Sequence, residues 1–318
     1  MEHITDGQVD RSRPTAITLG NFDGLHLGHR ALIQLTKEFA AEENLESVVF
    51  SFSPHPMLVF KKKEDFALIM APSEKLFTME QMGVDTYIEY PFDEEFASMS
   101  ANDFAVKLLF ERMKCKVLVV GENYHFGSNR AGNYEMLRRL GEEHGVKVIA
   151  VPSVQYEGER VSSSRIRQCL IDKDLESANS MLTVPYFILG TVKEGKNLGR
   201  TIGFPTVNIE AHPLKLFPPN GVYATKTLYE GKYYYGVTNI GKNPTVNGTQ
   251  KIVETYLFDF NKMIYGEELQ IFFYKFLRSE KKFESVDELQ AQIAVNAEQT
   301  RAYFASAEYE HWKAEEEK

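Results

Sequence analysis

The chain has 318 residues, of which 43% are hydrophobic and 25% are charged. This length is sufficient for two domains with apolar cores, and the composition is typical of a globular protein. The net charge of −9 excludes a broadly basic surface for nucleic acid, so an anionic substrate must be held by local groups. No apolar run reaches the ~18 residues of a membrane-spanning helix, so no membrane role is expected.

Two features of the chain indicate its compartment. Cys115 and Cys169 are the only cysteines, and two lone thiols argue against a disulfide framework or a zinc site. Residues 1–14 lack the apolar core of a signal peptide. We therefore predict a cytoplasmic protein.

The first half of the chain alternates between strand-like and helix-like segments. The predicted strands are 15–20, 46–52, 84–90, 116–121 and 146–151, and the predicted helices are 28–42, 73–82, 100–113 and 133–144. Strands that alternate with helices predict a parallel sheet covered on both faces, which is a Rossmann-like α/β domain.

The pattern changes near residue 183. Residues 162–182 have a helical pattern, and strand-like segments then follow one another, with a hairpin turn at Glu230-Gly231. Consecutive strands rich in Tyr and Phe predict an antiparallel barrel or sandwich. Ser285 and Glu288 form a capping box at the start of a terminal helix. We place the two domains at 1–184 and 185–318.

The loop after the first predicted strand has an unusual composition. It reads GNFDGLHLGH over residues 20–29 and places His26 and His29 around Gly28 at the start of a helix. A helix N-terminus preceded by a glycine-rich turn is suited to bind phosphate. The spacing of four between Gly20, Gly24 and Gly28 is not that of the dinucleotide fingerprint G-x-G-x-x-G. Two imidazoles here predict catalysis of a reaction at the phosphates of a nucleotide.

A second loop, EGKNLGRTIGFPTVNI over residues 194–209, is also rich in glycine but lacks the spacing of a Walker A motif. A glycine-rich hairpin loop is the alternative interpretation. Thr206 and Asn208 are two residues apart, so both side chains project from one face of an extended strand. A hydroxyl and an amide oxygen on one face predict a Mg²⁺ site.

The first loop resembles the ATP site of the nucleotidylyltransferase superfamily and, in its longer form, the bacterial bifunctional riboflavin kinase/FAD synthetases. FSFSPHP (50–56), VGENYHFGSNRAGN (120–133) and VSSSRIRQCL (161–170) match further motifs of that family in order. The resemblance implies that His26 and His29 act in catalysis. It also implies a set of ATP- and FMN-binding residues: Gly20, Asn21, Phe22, Asp23, Gly24, Gly28, Asn123, Ser163, Ser164, Arg165 and Arg167.

The second half is similar to the kinase module of the same family. PTVN (205–208) resembles its P-T-A-N motif, GVTNIGKNPTV (236–246) and VETYLFDF (253–260) match two later segments, and Val246 and Asn296 depart from the usual residues. The resemblance implies that Glu254 is the catalytic carboxylate and that Thr206 and Asn208 bind Mg²⁺. The implied ATP- and flavin-binding residues are Gly195, Lys196, Gly199, Arg200, Gly203, Pro205, Asn239 and Arg278.

The resemblance implies phosphorylation of riboflavin by ATP to give FMN and ADP, and then adenylyl transfer from ATP to FMN to give FAD and pyrophosphate. Mg²⁺ is the expected cofactor. Self-association is left open. Two alternatives remain at this point: only the adenylyltransferase module is active, or the chain is a non-catalytic flavin or nucleotide sensor.

Overall fold

The computed structural model describes residues 1–60, 66–195, 203–245, 248–306 and 309. The chain divides into two compact units, residues 1–162 and 163–318.

The first unit is an α/β layer structure around a six-stranded parallel sheet. Its sheet strands are β1 (Glu2–Ile4), β2 (Thr15–Leu19), β3 (Glu46–Ser53), β4 (Thr86–Pro91), β5 (Cys115–Gly121) and β8 (Lys147–Val151), in the spatial order β1-β4-β3-β2-β5-β8. Every residue of β2 is buried, because β3 and β5 flank the strand and helices cover the sheet. The predicted parallel sheet is confirmed.

Helices and two small hairpins surround this sheet. They are α1 (Leu27–Glu42), α2 (Pro56–Phe60), α3 (Pro72–Gln81), α4 (Glu94–Ala97), α5 (Ala101–Asp103), α6 (Tyr134–His144), the hairpin strands β6 (His125–Phe126) and β7 (Gly132–Asn133), and the hairpin strands β9 (Gln155–Tyr156) and β10 (Glu159–Arg160). The helix α5 continues as a π-helix, Phe104–Arg112, and a 3₁₀ turn covers Ser128–Arg130. Ser100 caps α5, and Gly145 ends α6 in the left-handed conformation at φ 67°.

The topology of the sheet identifies a ligand edge. Chain order runs from β2 outward through β3 and β4 on one side, and through β5 and β8 on the other. The order therefore reverses between β2 and β5, and the crevice beyond the carboxyl ends of such strands is where open α/β sheets bind ligands. The loop 20–26 after β2 and the loop 122–124 after β5 both begin at this edge.

The second unit begins with two short helices, α7 (Ser163–Ile171) and α8 (Leu175–Met181). The predicted helix over 162–182 is interrupted here, because Lys173 has φ 68° and Asp174 caps α8 by accepting from the Ser177 N–H. Asn179 of α8 donates to the Phe273 carbonyl and accepts from the Tyr186 N–H, which ties the helix to the strands that follow. The predicted domain boundary at 184/185 stays a prediction.

Six antiparallel strands then close into a barrel. They are β11 (Phe187–Lys193), β12 (Thr206–Ala211), β13 (Gly221–Tyr229), β14 (Lys232–Thr245), β15 (Gly248–Leu257) and β16 (Glu268–Arg278), in the order β11-β12-β15-β14-β13-β16. Glu230 and Gly231 have φ of 48° and 73°, as a tight hairpin turn requires. The closed barrel decides between the two predicted β architectures.

The interior of the barrel contains a short polar chain among apolar side chains. The hydroxyls of Thr225, Thr238 and Thr255 are linked at 2.7 and 2.8 Å, and all three residues are fully buried. Because side chains alternate along a strand, the neighbouring residues Asn239 and Glu254 project from the outer surface.

The terminal helix α9 (Val286–Phe304) packs on β13 and β14 outside the barrel. Ser285 caps it by accepting from the Glu288 N–H at 3.2 Å, as the capping box predicts. Its buried face includes Asn296, Ala297, Thr300 and Phe304, whereas Val286 is exposed.

Both cysteines are free thiols. Among the described residues, no helix is both long and apolar enough to cross a bilayer.

Candidate active sites

The paired histidines lie at the sheet edge identified by the topology. His26 is the N-cap of α1, and its Nδ1 accepts from the His29 backbone N–H at 3.3 Å. The two imidazole rings stack, with centroids 3.6 Å apart and planes 13° from parallel. Because His26 Nδ1 is an acceptor, the neutral ring has its proton on Nε2, which is then the atom that donates.

Both rings are neutral near pH 7 in this arrangement. Burial, with a smaller contribution from the nearby charge of Arg160, lowers the pKa of His26 to about 4. Burial also lowers the pKa of His29, whose Nδ1 is buried without a hydrogen-bond partner among the described residues. The imidazole pair therefore offers N–H donors to an anion, and fixed positive charge comes from Arg160 and Lys75 nearby.

The residues between the strand and the histidines build the turn. Phe22 is fully buried, and Gly24 has φ 87°, a conformation that side chains rarely adopt. The Asp23 carboxylate accepts the Ile69 N–H at 3.3 Å and the Met70 N–H at 3.1 Å. Asp23 thus joins this loop to the segment before α3, and its predicted contact with ATP or FMN stays a prediction.

Gly28 gives His26 the space that its ring occupies. A Cβ at this position would lie 3.1 Å from His26 Cε1 and 3.2 Å from His26 Nδ1, which is tighter than most side-chain contacts. Gly20 and Asn21 begin the same turn, and Asn21 is exposed.

Two further sets of predicted site residues lie after β5 and at the start of α7. Asn123 follows β5 and is exposed, and its amide lies within 3.5 Å of Glu122 and Ser153. Ser163 and Ser164 open α7, with Arg165 and Arg167 one and three residues beyond Ser164. These four residues belong to the second unit, so their predicted role toward ATP stays a prediction.

An acid shift is expected to destabilise this unit through His26. The His26 ring is neutral in the folded protein with a pKa of about 4, against 6.5 when exposed, so the unfolded state binds the extra proton. The free energy of unfolding is therefore unaffected by this group above pH 6.5 and decreases as the pH falls from 6.5 toward 4. At pH 5 the expected decrease is about 2 kcal/mol. Denaturant unfolding at pH 7 and pH 5 measures it.

The matched variant is His26→Asn, because an asparagine oxygen also caps a helix but does not titrate. Its free energy of unfolding is expected to fall less between pH 7 and pH 5 than that of the wild type. Equal losses in the two proteins would show that His26 is not buried in its neutral form.

The predicted kinase residues come together on the outer surface of the barrel. Asn208 of β12 is directly opposite Glu254 of β15, and Glu254 is directly opposite Asn239 of β14. Directly opposite residues project from the same face of a sheet. The amide, carboxylate and amide groups therefore form one row across three strands, and all three residues are half-buried.

The row continues toward the terminal helix. Val222 of β13 is paired with Asn239 of β14 on one side and with Arg278 of β16 on the other, so it lies between them. Arg278 donates from Nε to Asn296 Oδ1 at 3.0 Å, so the residue that departs from the family pattern orients this guanidinium. Burial lowers the pKa of Arg278.

The proposed metal ligands fit a hard cation by their chemistry. Thr206 and Asn208 project from the same face of β12, beside the Glu254 carboxylate. Hydroxyl, amide and carboxylate oxygens are the donors that Mg²⁺ accepts. In the described part of the chain, no group of three or more His, Cys, Asp or Glu side chains could hold a metal ion.

Five further predicted residues precede Thr206, and the structure describes two of them. Gly203, with φ 78°, and Pro205 lie just before β12, and both are exposed. Lys196, Gly199 and Arg200 lie outside the described residues, as does Val246.

Gly195 is expected to be required for kinase activity, because its backbone approaches Asn208 closely. A Cβ at this position would lie 2.1 Å from Asn208 Nδ2. Gly195→Ala must therefore displace the end of the Asn208 side chain, and we expect riboflavin kinase activity to fall about tenfold or more with little change in Tm.

A double-mutant cycle that combines Gly195→Ala with Asn208→Ala checks this explanation. Once the amide is removed, the additional Gly195→Ala substitution should have a much smaller effect on kinase activity. Independent, multiplicative losses would contradict a clash at Asn208.

The fold and the two sites define a two-domain transferase. Its α/β unit has paired histidines at the sheet edge beyond β2 and β5, and its barrel has the row of Asn208, Glu254 and Asn239, here called the acid–amide row. Family models agree with this division. A model of FAD synthetase matches residues 8–165, and a model of riboflavin kinase matches residues 182–304. The chain belongs to the family of bifunctional riboflavin kinase/FMN adenylyltransferases, and its domains are those of these two enzymes.

Relatives of similar length support the assignment. The bifunctional riboflavin kinase/FMN adenylyltransferase of Haemophilus influenzae is 39% identical over 92% of this chain and 94% of its own length. The enzyme of the same name from Listeria monocytogenes is 36% identical over 96% of both chains. A crystal structure from Streptococcus pneumoniae, described as a macrolide-efflux protein, is 31% identical, with a TM-score of 0.86 over 95% of this chain and 99% of that chain.

Proposed function

We propose that the two described sites divide flavin synthesis between them. The barrel transfers the γ-phosphoryl group of ATP to riboflavin, which gives FMN and ADP. The α/β unit transfers the adenylyl group of a second ATP to FMN, which gives FAD and pyrophosphate. The observation that supports this division best is the presence of two separate polar constellations, each on a unit that matches the corresponding family model.

In the adenylyl site, the histidine pair lies where the triphosphate of ATP would meet the helix N-terminus. His26 donates from Nε2, and the backbone N–H groups of the loop after β2 supply further donors. As pyrophosphate leaves, negative charge grows on the phosphate oxygens, and these donors stabilise it. An anion beside the rings raises their pKa, so one imidazole can take up a proton when ATP binds. Two protonated rings 3.6 Å apart would repel strongly, so we assign a single proton to the pair.

In the kinase site, Glu254 accepts the proton of the riboflavin 5′-hydroxyl as that oxygen attacks the γ-phosphorus. Asn208 and Asn239 lie directly opposite Glu254 on the neighbouring strands. Thr206 and Asn208 would hold Mg²⁺, which supplies charge neutralisation on the phosphates. Arg278 lies further along the row, and we assign it a contact with the flavin.

The remaining predicted ligands complete the proposal. Asn123, Ser163, Ser164, Arg165 and Arg167 would bind ATP or FMN, because hydroxyl, amide and guanidinium groups bind phosphate oxygens.

Product analysis tests the proposal directly. Riboflavin, ATP and Mg²⁺ are incubated with the protein, and flavins are separated by chromatography over time. FMN followed by FAD supports both activities, whereas conversion of added FMN alone would leave only the adenylyltransferase. Flavin binding without any product would identify a sensor and overturn the proposal.

A further inference from the structure

A buried ion pair lies beneath the loop that follows β2. Lys75 is in the first turns of α3 and Glu89 is in β4, and only 9% and 6% of their surfaces are exposed. Lys75 Nζ lies 2.9 Å from Glu89 Oε1. Neither residue belongs to a motif found in the sequence, and the mechanism above does not use their ion pair.

The lysine connects this pair to the loop. Its Nζ lies within 3.5 Å of Ser51 Oγ, and Ser51 Oγ donates to the Asn21 carbonyl at 3.2 Å. Ser51 lies in β3, so the contact joins α3, β3 and the turn that leads to the histidines. Asn21 is the second residue of that turn, and the position of its backbone therefore depends on the side chains beneath it.

The glutamate is held by three donors. Tyr87 OH donates to Glu89 Oε1 at 2.9 Å, and His3 Nε2 lies 3.1 Å from Glu89 Oε2. Burial alone would raise the pKa of Glu89, but Lys75, Tyr87 and His3 together lower it. Glu89 is therefore ionised near pH 7, and Lys75 has a fixed partner.

Such a pair adds little to stability, because the cost of removing two charges from water offsets most of their attraction. The Lys75 ammonium does act on His29. The groups that face His29 are the stacked His26 ring and the Lys75 ammonium, and Arg160 acts on His26. Burial lowers the pKa of His29 most, His26 lowers it less, and the charge of Lys75 makes the smallest of these three contributions.

We propose that Lys75 and Glu89 are positioning residues for adenylyl transfer: the pair fixes the loop backbone through Ser51 and Asn21, and it holds the Lys75 ammonium where its charge acts on His29. The proposal rests on the adenylyl-transfer role proposed for the α/β unit. The lysine adds to the effect of burial in keeping the His29 ring unprotonated, and the glutamate holds the lysine in place without a contact to the substrate.

Four variants separate positioning from simple stability. Lys75→Met removes the cation, Glu89→Gln removes its partner, and Lys75→Arg keeps the charge. The double variant Lys75→Met/Glu89→Gln removes both charges, so it leaves no unpaired buried ion and retains the fold. We expect kcat for FAD formation from FMN to fall about ten- to a hundredfold in Lys75→Met and in the double variant, because the loop loses its anchor.

A second readout follows the charge itself. The Cε1–H resonance of His29, identified by its loss in His29→Asn, is titrated by NMR from pH 8 down to the lowest pH at which the folded spectrum persists, and variants whose midpoint lies lower still are compared by their protonated fraction at that pH. Its midpoint should rise in Lys75→Met, stay low in Lys75→Arg, and not rise in Glu89→Gln. A loss of stability alone would not produce this pattern.

The outcomes are distinct. A wild type that does not convert FMN to FAD would overturn the proposed function itself. If the wild type does convert FMN to FAD, an unchanged kcat in the double variant would overturn the positioning role alone. An unchanged His29 midpoint in both proteins that contain Lys75→Met would do the same.

Discussion

Replacing His29 with asparagine is expected to lower FAD formation from FMN and ATP by about 10²–10³-fold. The ring of His29 stacks on His26 at the N-terminus of α1, so its removal takes one member of the donor pair from the site. Riboflavin phosphorylation should be unchanged, because the acid–amide row lies in the barrel. Initial rates of both half-reactions, measured on one preparation, test the expectation.

His144→Asn is the matched control for this substitution. His144 lies in the last turn of α6, where it is exposed and packs against Phe110. Its replacement should leave both activities unchanged. Equal adenylyl-transfer rates in His29→Asn and His144→Asn would contradict the assigned role of the imidazole pair.

Glu254→Gln is expected to reduce riboflavin phosphorylation by about 10²–10⁴-fold, because an amide cannot accept the proton of the attacking hydroxyl. The side chain keeps its size, and the neighbouring strands remain paired. FMN supplied directly should still be converted to FAD. The measurement is the rate of FMN formation with saturating ATP and Mg²⁺.

Glu210→Gln provides the comparison. Glu210 lies two residues beyond Asn208 on β12, is exposed, and pairs with Lys193 at 3.1 Å. Loss of this carboxylate should have little effect, since exposed ion pairs contribute little. A Glu254→Gln protein that phosphorylates riboflavin as fast as Glu210→Gln would show that another group accepts the proton.

Periodicity predicted most of the fold. The predicted strand at 15–20 is β2, Thr15–Leu19, and Ser285 begins the terminal helix, as its capping box predicts. These features depend on local chemistry, which a sequence displays directly.

The elements that depend on distant partners were not predicted. The strand β1 has three residues and exists because it pairs with β4, far along the chain. The π-helix of Phe104–Arg112 differs from an α-helix in that its hydrogen bonds span five residues instead of four, which the apolar spacing does not reveal. The break between α7 and α8 depends on Lys173 and Asp174, which read equally well as helix interior.

The sequence indicated which residues belong to the candidate sites but not how their side chains are arranged. Loop composition and residue spacing indicated His26, His29 and Asn208, and the family resemblance implied Glu254; the register places Asn208 and Glu254 side by side. The sequence did not reveal that the two imidazoles stack and are neutral, because burial and ring contacts arise only in the folded chain.

Two cations near the histidines were also missed. Lys75 is in an ordinary amphipathic helix, and Arg160 is in a two-residue strand. Nothing in their local sequence distinguishes them from solvated surface residues.

The central claim is that two separate sites act in succession, with FMN as their shared intermediate. The direct measurement mixes His29→Asn protein with Glu254→Gln protein in the presence of riboflavin, ATP and Mg²⁺, and follows FAD by chromatography. Neither protein alone should form FAD from riboflavin at an appreciable rate, and the mixture should form it through FMN released by the first protein. No FAD from the mixture, or loss of both half-reactions in either variant, would contradict the account.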